Sequence, residues 1–160
     1  MEFFAKIEGV DGESAHRGHE DWIEVASVGW GVSQSAGHAG GGVGAARAGR
    51  ATLQPLLFTA RTSSATPPLF LLCVTGRHVP HATFEAVASG GDAQRVAMRI
   101  ELEDATLSSI TVDGTEQDGL SDAFSIEYQR VRLTTFRQDP RGGEGAPVTA
   151  GWDVRLGRPL

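Results

Sequence analysis

Cysteine is nearly absent from this chain: Cys73 is the only one in 160 residues. A single thiol closes no intrachain disulfide, which fits folding in a reducing compartment. Cys73 lies in the apolar run Leu69–Val74 and reads as a small buried hydrophobe, with His78 only weak support for a reactive thiolate. Lysine is equally scarce, Lys6 alone. With 14 basic and 20 acidic residues the formal net charge is −6, and the basic excess of an electrostatic nucleic-acid binder is missing. Long apolar runs are missing too. The longest, Leu69–Val74, is six residues, where a membrane helix needs about 20. The N-terminus, Met1 to Glu8, interleaves charges with apolar residues and lacks a basic n-region and an apolar h-region. No cleavable signal peptide and no membrane insertion are expected.

The motifs of common catalysts are also missing. There is no G-x-x-x-x-G-K-[ST], and Ala51–Pro55, which follows the glycine-rich stretch, reads as strand. No helix N-terminus is then on offer to a phosphate. No G-x-S-x-G elbow occurs. Histidines form two H-x-x-H pairs, His16–His19 and His78–His81. The first lies in a polar loop and the second spans Pro80 in an expected turn, so both read as solvated or capping histidines rather than zinc ligands. Glu101 and Glu103 share one strand face with Asp104 close by, the pattern of a solvated surface. Asp113 to Asp118 resembles a calcium loop only loosely. The expectation is a protein that is not an enzyme and takes no cofactor and no metal.

What the chain does have is glycine, 21 residues, and alternation. Six of those glycines fall in residues 33–50, a low-complexity stretch with no aromatic residue. A flexible segment of that length has an r.m.s. reach of about 23 Å. Apolar residues alternate from Trp22 to Val32, from Val96 to Leu102, through Phe124, Ile126 and Tyr128, and from Val148 to Leu156. Shorter strands are expected at 2–8, 51–61 and 82–89, with Pro55 at an edge or bulge. The phase slips between Asp104 and Ser109, which predicts a bulge. Turns are expected at Val10–Gly12, Gly90–Asp92, Asp113–Gly114 and Pro140–Gly143. One helix is predicted from Pro67 to Gly76, with Thr66 as N-cap and Leu69, Leu72 and Cys73 as its apolar stripe. About seven strands and one short helix give a mainly β protein. Its expected architecture is a β-barrel of two packed antiparallel sheets with one short flanking α-helix.

Several segments, in order, resemble the Hcp family, hemolysin-coregulated proteins that form the tube of type VI secretion systems. They are Phe4–Gly9 with Gly12–Ser14, His19–Ser27 with Trp30–Gln34, and Thr66–Leu69 with Cys73 and Gly76–His78. Ile100–Ser109, Glu127–Tyr128 leading to Phe136, and Gly151–Asp153 follow. The chain departs from the family at Arg61–Ser64, at Phe136, in its scarcity of lysine and in a richer glycine arm.

The resemblance implies a structural tube subunit. It forms a homohexameric ring that stacks and is expelled with effectors from a contractile sheath carrying a spike. A tube subunit of another contractile particle and a ring-shaped effector carrier or chaperone are the alternatives. Assembly in the cytoplasm, then secretion outside the cell or into target cells, is implied as well. So is a single tube domain over 1–160, with no room for a fused toxin. The 33–50 arm would contact a neighbouring subunit or ring through Gln34, Gly37, His38, Gly41, Val43, Arg47 and Arg50. Trp22, Trp30, Pro67, Gly76, Trp152 and Asp153 would be structural motif residues.

Overall fold

The computed structural model describes residues 1–35, 51–90, 93–138 and 144–160. The strands are β1 (Glu2–Ile7), β2 (Ile23–Gly29), β3 (Val32–Gln34), β4 (Ala51–Leu53) and β5 (Leu56–Arg61). Helix α1 (Thr66–Thr75) follows. Then come β6 (His78–Gly90), β7 (Ala93–Thr115), β8 (Gly119–Glu127), β9 (Arg130–Gln138), β10 (Glu144–Asp153) and β11 (Arg158–Pro159).

Nine strands form one antiparallel sheet in the order β11-β10-β9-β7-β6-β1-β2-β5-β8. It closes because β8 also pairs with β7, giving a barrel of six strands, β6-β1-β2-β5-β8-β7. Closure pairs both sides of each of these six strands, removing the edges that otherwise invite pairing there. The 23-residue β7 makes this possible. Its first half pairs with β9 over Met98–Glu103 and its second half with β8 over Thr106–Thr115. The change of partner falls at the predicted phase slip: Asp104 has φ +52°, and the β7–β8 register shifts between Leu107 and Ser109. A residue in left-handed conformation turns the strand and re-aims its side chains, so Leu102 and Leu107 are both buried although their parity differs. Beyond the barrel, β9, β10 and β11 extend the sheet, and β3 and β4 form a separate two-stranded sheet.

The core fills the barrel with Phe84, Ile100, Leu102, Phe58 and Phe124, the Phe58 ring tilted against Phe124 at 5.1 Å and against Phe84 at 5.8 Å between centroids. Leu69 and Leu72 seat α1 against this core.

Several local expectations are corrected. The N-cap of α1 is Ala65, not Thr66. The Thr66 hydroxyl instead donates to buried Asp122, which also accepts from Thr62 at 2.6 Å. A buried carboxylate must be hydrogen-bonded, and that need outweighs a cap. Pro67 stands in the first helical turn, and Gly76 ends the helix at φ +60° as predicted, its N–H reaching Cys73 and Leu72 carbonyls. That sharp stop lets β6 start at once, so His78–His81 is strand rather than turn. Asp113 and Gly114 are also strand; the reversal comes later, where Gly119 supplies φ +75°. The Trp22–Val32 run is not one strand: β2 begins at Ile23, shifts register between Val25 and Ser27, and ends at Gly29. Residues 51–61 are split at Gln54–Pro55 into β4 and β5.

Candidate interaction surface

His19 is buried, not solvated. Its Nε2–H donates to Glu85 Oε2 at 2.6 Å, and Glu85 Oε1 accepts from Arg99 Nε at 2.5 Å. His19 is stacked at 4.4 Å on Phe4 and met edge-on at 4.8 Å by Trp22. Sequence reasoning missed Glu85 because it lies 66 residues from His19; the only signal was a lone acid among apolar strand residues. Asp153 is buried and accepts the Leu156 N–H at 2.7 Å, fixing the turn into β11.

Trp30 and Trp152 share one groove. Both line a groove of about 830 Å³ between the β3–β4 sheet and the β9–β10 extension. Val32, Leu53, Leu133 and Leu156 line it as well. Trp30 is held by its Nε1–H, which donates to Tyr128 Oη at 2.5 Å, and Tyr128 donates to the Gln54 carbonyl at 2.9 Å. Burial pushes the Tyr128 phenol above its usual range, the Trp30 bond opposing. Gln34 also lines the groove, at the end of β3. Gly37, His38, Gly41, Val43, Arg47 and Arg50 lie outside the described residues.

Of the acidic residues weighed for chemistry, Glu103 and Asp104 serve as surface partners. Arg130 bonds Glu103 at 2.6 Å and Asp104 at 3.0 Å, and His78 meets Asp104 at 3.1 Å. The His78 hydrogen bond holds the Asp104 carboxyl below its ordinary range, and the Arg130 charge adds to this. Among the described residues no group of three or more His, Cys, Asp or Glu is placed to hold a metal ion. No described helix is long and apolar enough to cross a membrane.

A closed barrel with an open apolar groove and an apolar outer helix belongs to the class of β proteins that work by contact with another protein surface. Residues 4–134 match the family described as "Type VI secretion system effector, Hcp". Protein hcp1 of Pseudomonas aeruginosa is 34% identical over 157 residues, 97% of this chain and 96% of that protein. A solved structure of a type six secretion system protein superposes with TM-score 0.92 at 24% identity, covering 99% of each chain. Hcp1 from Salmonella typhimurium gives 0.80 at 23% identity, covering 99% of this chain and 98% of that one. This chain belongs to the Hcp family of type VI secretion proteins.

Proposed function

We propose that the chain is the repeating subunit of the type VI secretion inner tube, closing six to a ring through its own surface. The observation that carries this is the pairing of a closed barrel with unpaired apolar surface. A closed barrel is finished as a fold. Yet Val32, Leu57, Phe70, Leu71, Val74 and Leu156 remain at least half exposed. Apolar surface left out of the core in this way marks contacts with other proteins. Of the side chains weighed as candidates for catalysis, His19, His78, Glu103 and Asp104 are engaged in ion pairs, which supports a structural role. Rings stack, enclose effectors and are expelled by a contractile sheath behind a spike. The protein assembles in the cytoplasm and leaves it with the tube. The segment 34–50 contributes contacts between subunits or rings.

Native mass spectrometry and small-angle scattering on the purified chain test the reading. The expected result is a species of six subunit masses with a central hole in the scattering profile. A monomer that persists at high concentration overturns it.

A further inference from the structure

Two histidine rings lie side by side in the loop between β1 and β2. The His19 backbone N–H donates to the His16 carbonyl at 2.9 Å, a turn in which Gly18 supplies φ +85°. The rings stand 5.5 Å apart between centroids, and both rest on Phe4. His16 Nδ1 lies 3.2 Å from the Arg17 carbonyl, and His19 Nε2 lies 2.6 Å from Glu85 Oε2. Carbonyl and carboxylate oxygens only accept, so each of those nitrogens carries the single proton of its neutral ring. The other two nitrogens, His16 Nε2 and His19 Nδ1, are then bare lone pairs. Both are buried, and neither has a hydrogen-bond partner among the described residues. We propose that they are metal ligands: this loop binds a divalent ion of the zinc class through His16 and His19, with Glu2 as the third ligand. The site does not depend on the ring reading.

The lone pairs call for an electrophile. Two acceptors cannot bond one another, and a buried acceptor without a partner is costly. Glu2 Oε2 stands 3.3 Å from His16 Nε2, outside hydrogen-bond geometry. An anionic oxygen and a bare nitrogen thus face each other with no proton between them. The spacing fits an ion in that place. At a zinc–ligand distance of about 2.05 Å, two ligands of a tetrahedral ion stand about 3.3 Å apart, which is the separation of His16 and Glu2. Two imidazoles on one such ion have ring centroids about 5.2 Å apart, against 5.5 Å for His16 and His19.

The outer shell of such a site is already in place. A metal-bound histidine gives its other N–H to a carboxylate or a carbonyl, which fixes the tautomer and raises ligand basicity. Glu85 does this for His19 and is itself held by Arg99 at 2.5 Å, and the Arg17 carbonyl does it for His16. Among the described residues no three such groups yet share one coordination shell. Glu2, whose side chain is 48% exposed, turns in to complete it, and water takes the fourth position. The second H-x-x-H lacks these features. His78 bonds Asp104 at the surface, and His78 and His81 stand three apart on β6, where odd spacing points side chains to opposite faces.

Zinc titration of the full chain decides the matter. Isothermal titration calorimetry is expected to show one zinc ion per chain. The melting temperature is expected to rise by about 4 °C at a free zinc concentration ten times the Kd. His16→Gln abolishes both effects, Glu2→Gln weakens binding at least about tenfold, and the double variant His78→Gln, His81→Gln changes neither. A chain that takes up no zinc, or takes it up equally with His16→Gln, overturns the site, and a water molecule or the His16–Glu2 ion pair alone then stands in place of the ion. Binding lost in the His78, His81 variant puts the ion at the other pair and overturns it as well. Where His16→Gln does not fold, Glu2→Gln decides at a half-exposed side chain: unchanged affinity overturns the proposal.

Discussion

Trp30 and Tyr128 are 98 residues apart in sequence and 2.5 Å apart in space, indole N–H to phenol oxygen. The phenol passes the link on to the Gln54 carbonyl at 2.9 Å. One hydroxyl thus ties the end of β2, the entry to β5 and the exit from β8, and it fixes the tryptophan that lines the groove.

Tyr128→Phe removes that hydroxyl and leaves a donor and an acceptor unsatisfied. The expected loss is about 1–2 kcal/mol in urea unfolding. The folded-state phenol is raised by burial. Its contribution is therefore fully present below the unfolded value, about 10, and is lost as pH rises through the raised one. Tyr128→Phe flattens the alkaline limb of the stability profile. An identical limb in the two proteins contradicts this account.

Glu85 is 5% exposed and holds both His19 and Arg99. Glu85→Ala leaves a buried imidazole and a half-covered guanidinium without their acceptor. The expected cost is about 3 kcal/mol, the low end for a broken buried pair, because Arg99 keeps access to water. Thermal melts read it, and a loss under 1 kcal/mol would place the network with ordinary surface pairs.

Gly12 sits against the backbone of Trp22. A Cβ there would stand 2.2 Å from the Trp22 carbonyl oxygen and 2.6 Å from the Ile23 nitrogen. Backbone held by the Gly12 N–H to Asp21 and Ser14 N–H to Trp22 bonds cannot give way as a side chain can. Gly12→Ala is expected to destabilise by about 3 kcal/mol and to loosen the loop carrying His19. Chemical denaturation gives the magnitude, and hydrogen exchange at residues 13–22 gives the location.

Asp104 is held below its usual value by His78 first and by Arg130. A depressed carboxyl stabilises above its unfolded value, about 3.9, and loses that contribution as pH falls through the depressed one. Asp104→Asn keeps a residue tolerant of φ +52° while removing the charge. The variant is expected to show a shallower acid limb in a melting-temperature profile, with the difference shrinking in high salt. Equal acid limbs would remove the ion pair from the account.

Deleting Gly37–Gly49 tests the role proposed for the segment 34–50. Gln34 and Ala51 already pair across the β3–β4 sheet, so a short turn can rejoin them. Rings are expected to form and their stacking into tubes to weaken, as seen by negative-stain microscopy. Tubes of unchanged length would refute the stacking role.

Alternation and turn chemistry are local, and the sequence alone was sufficient for part of them, though not for Trp22–Val32, His78–His81 or Asp113–Gly114. The strands around Val96–Leu102 and Phe124–Ile126, the slip between Asp104 and Ser109, and the helix ended by Gly76 follow from period, parity and the left-handed region that glycine tolerates. The order of motifs from Phe4 to Asp153 was likewise readable, and it identified the family. Where competition between distant groups decides, sequence reasoning failed. Thr66 turned from cap to partner because Asp122 is buried beside it. His19 turned from solvated to buried because Glu85 and Arg99 meet it there. The closing of the sheet by β7 onto β8, and the groove between Trp30 and Trp152, exist only once the chain has folded. A strand's own residues show which side is apolar; only the fold decides what faces that side, because pairing partners many residues apart are chosen by the collective burial of the core.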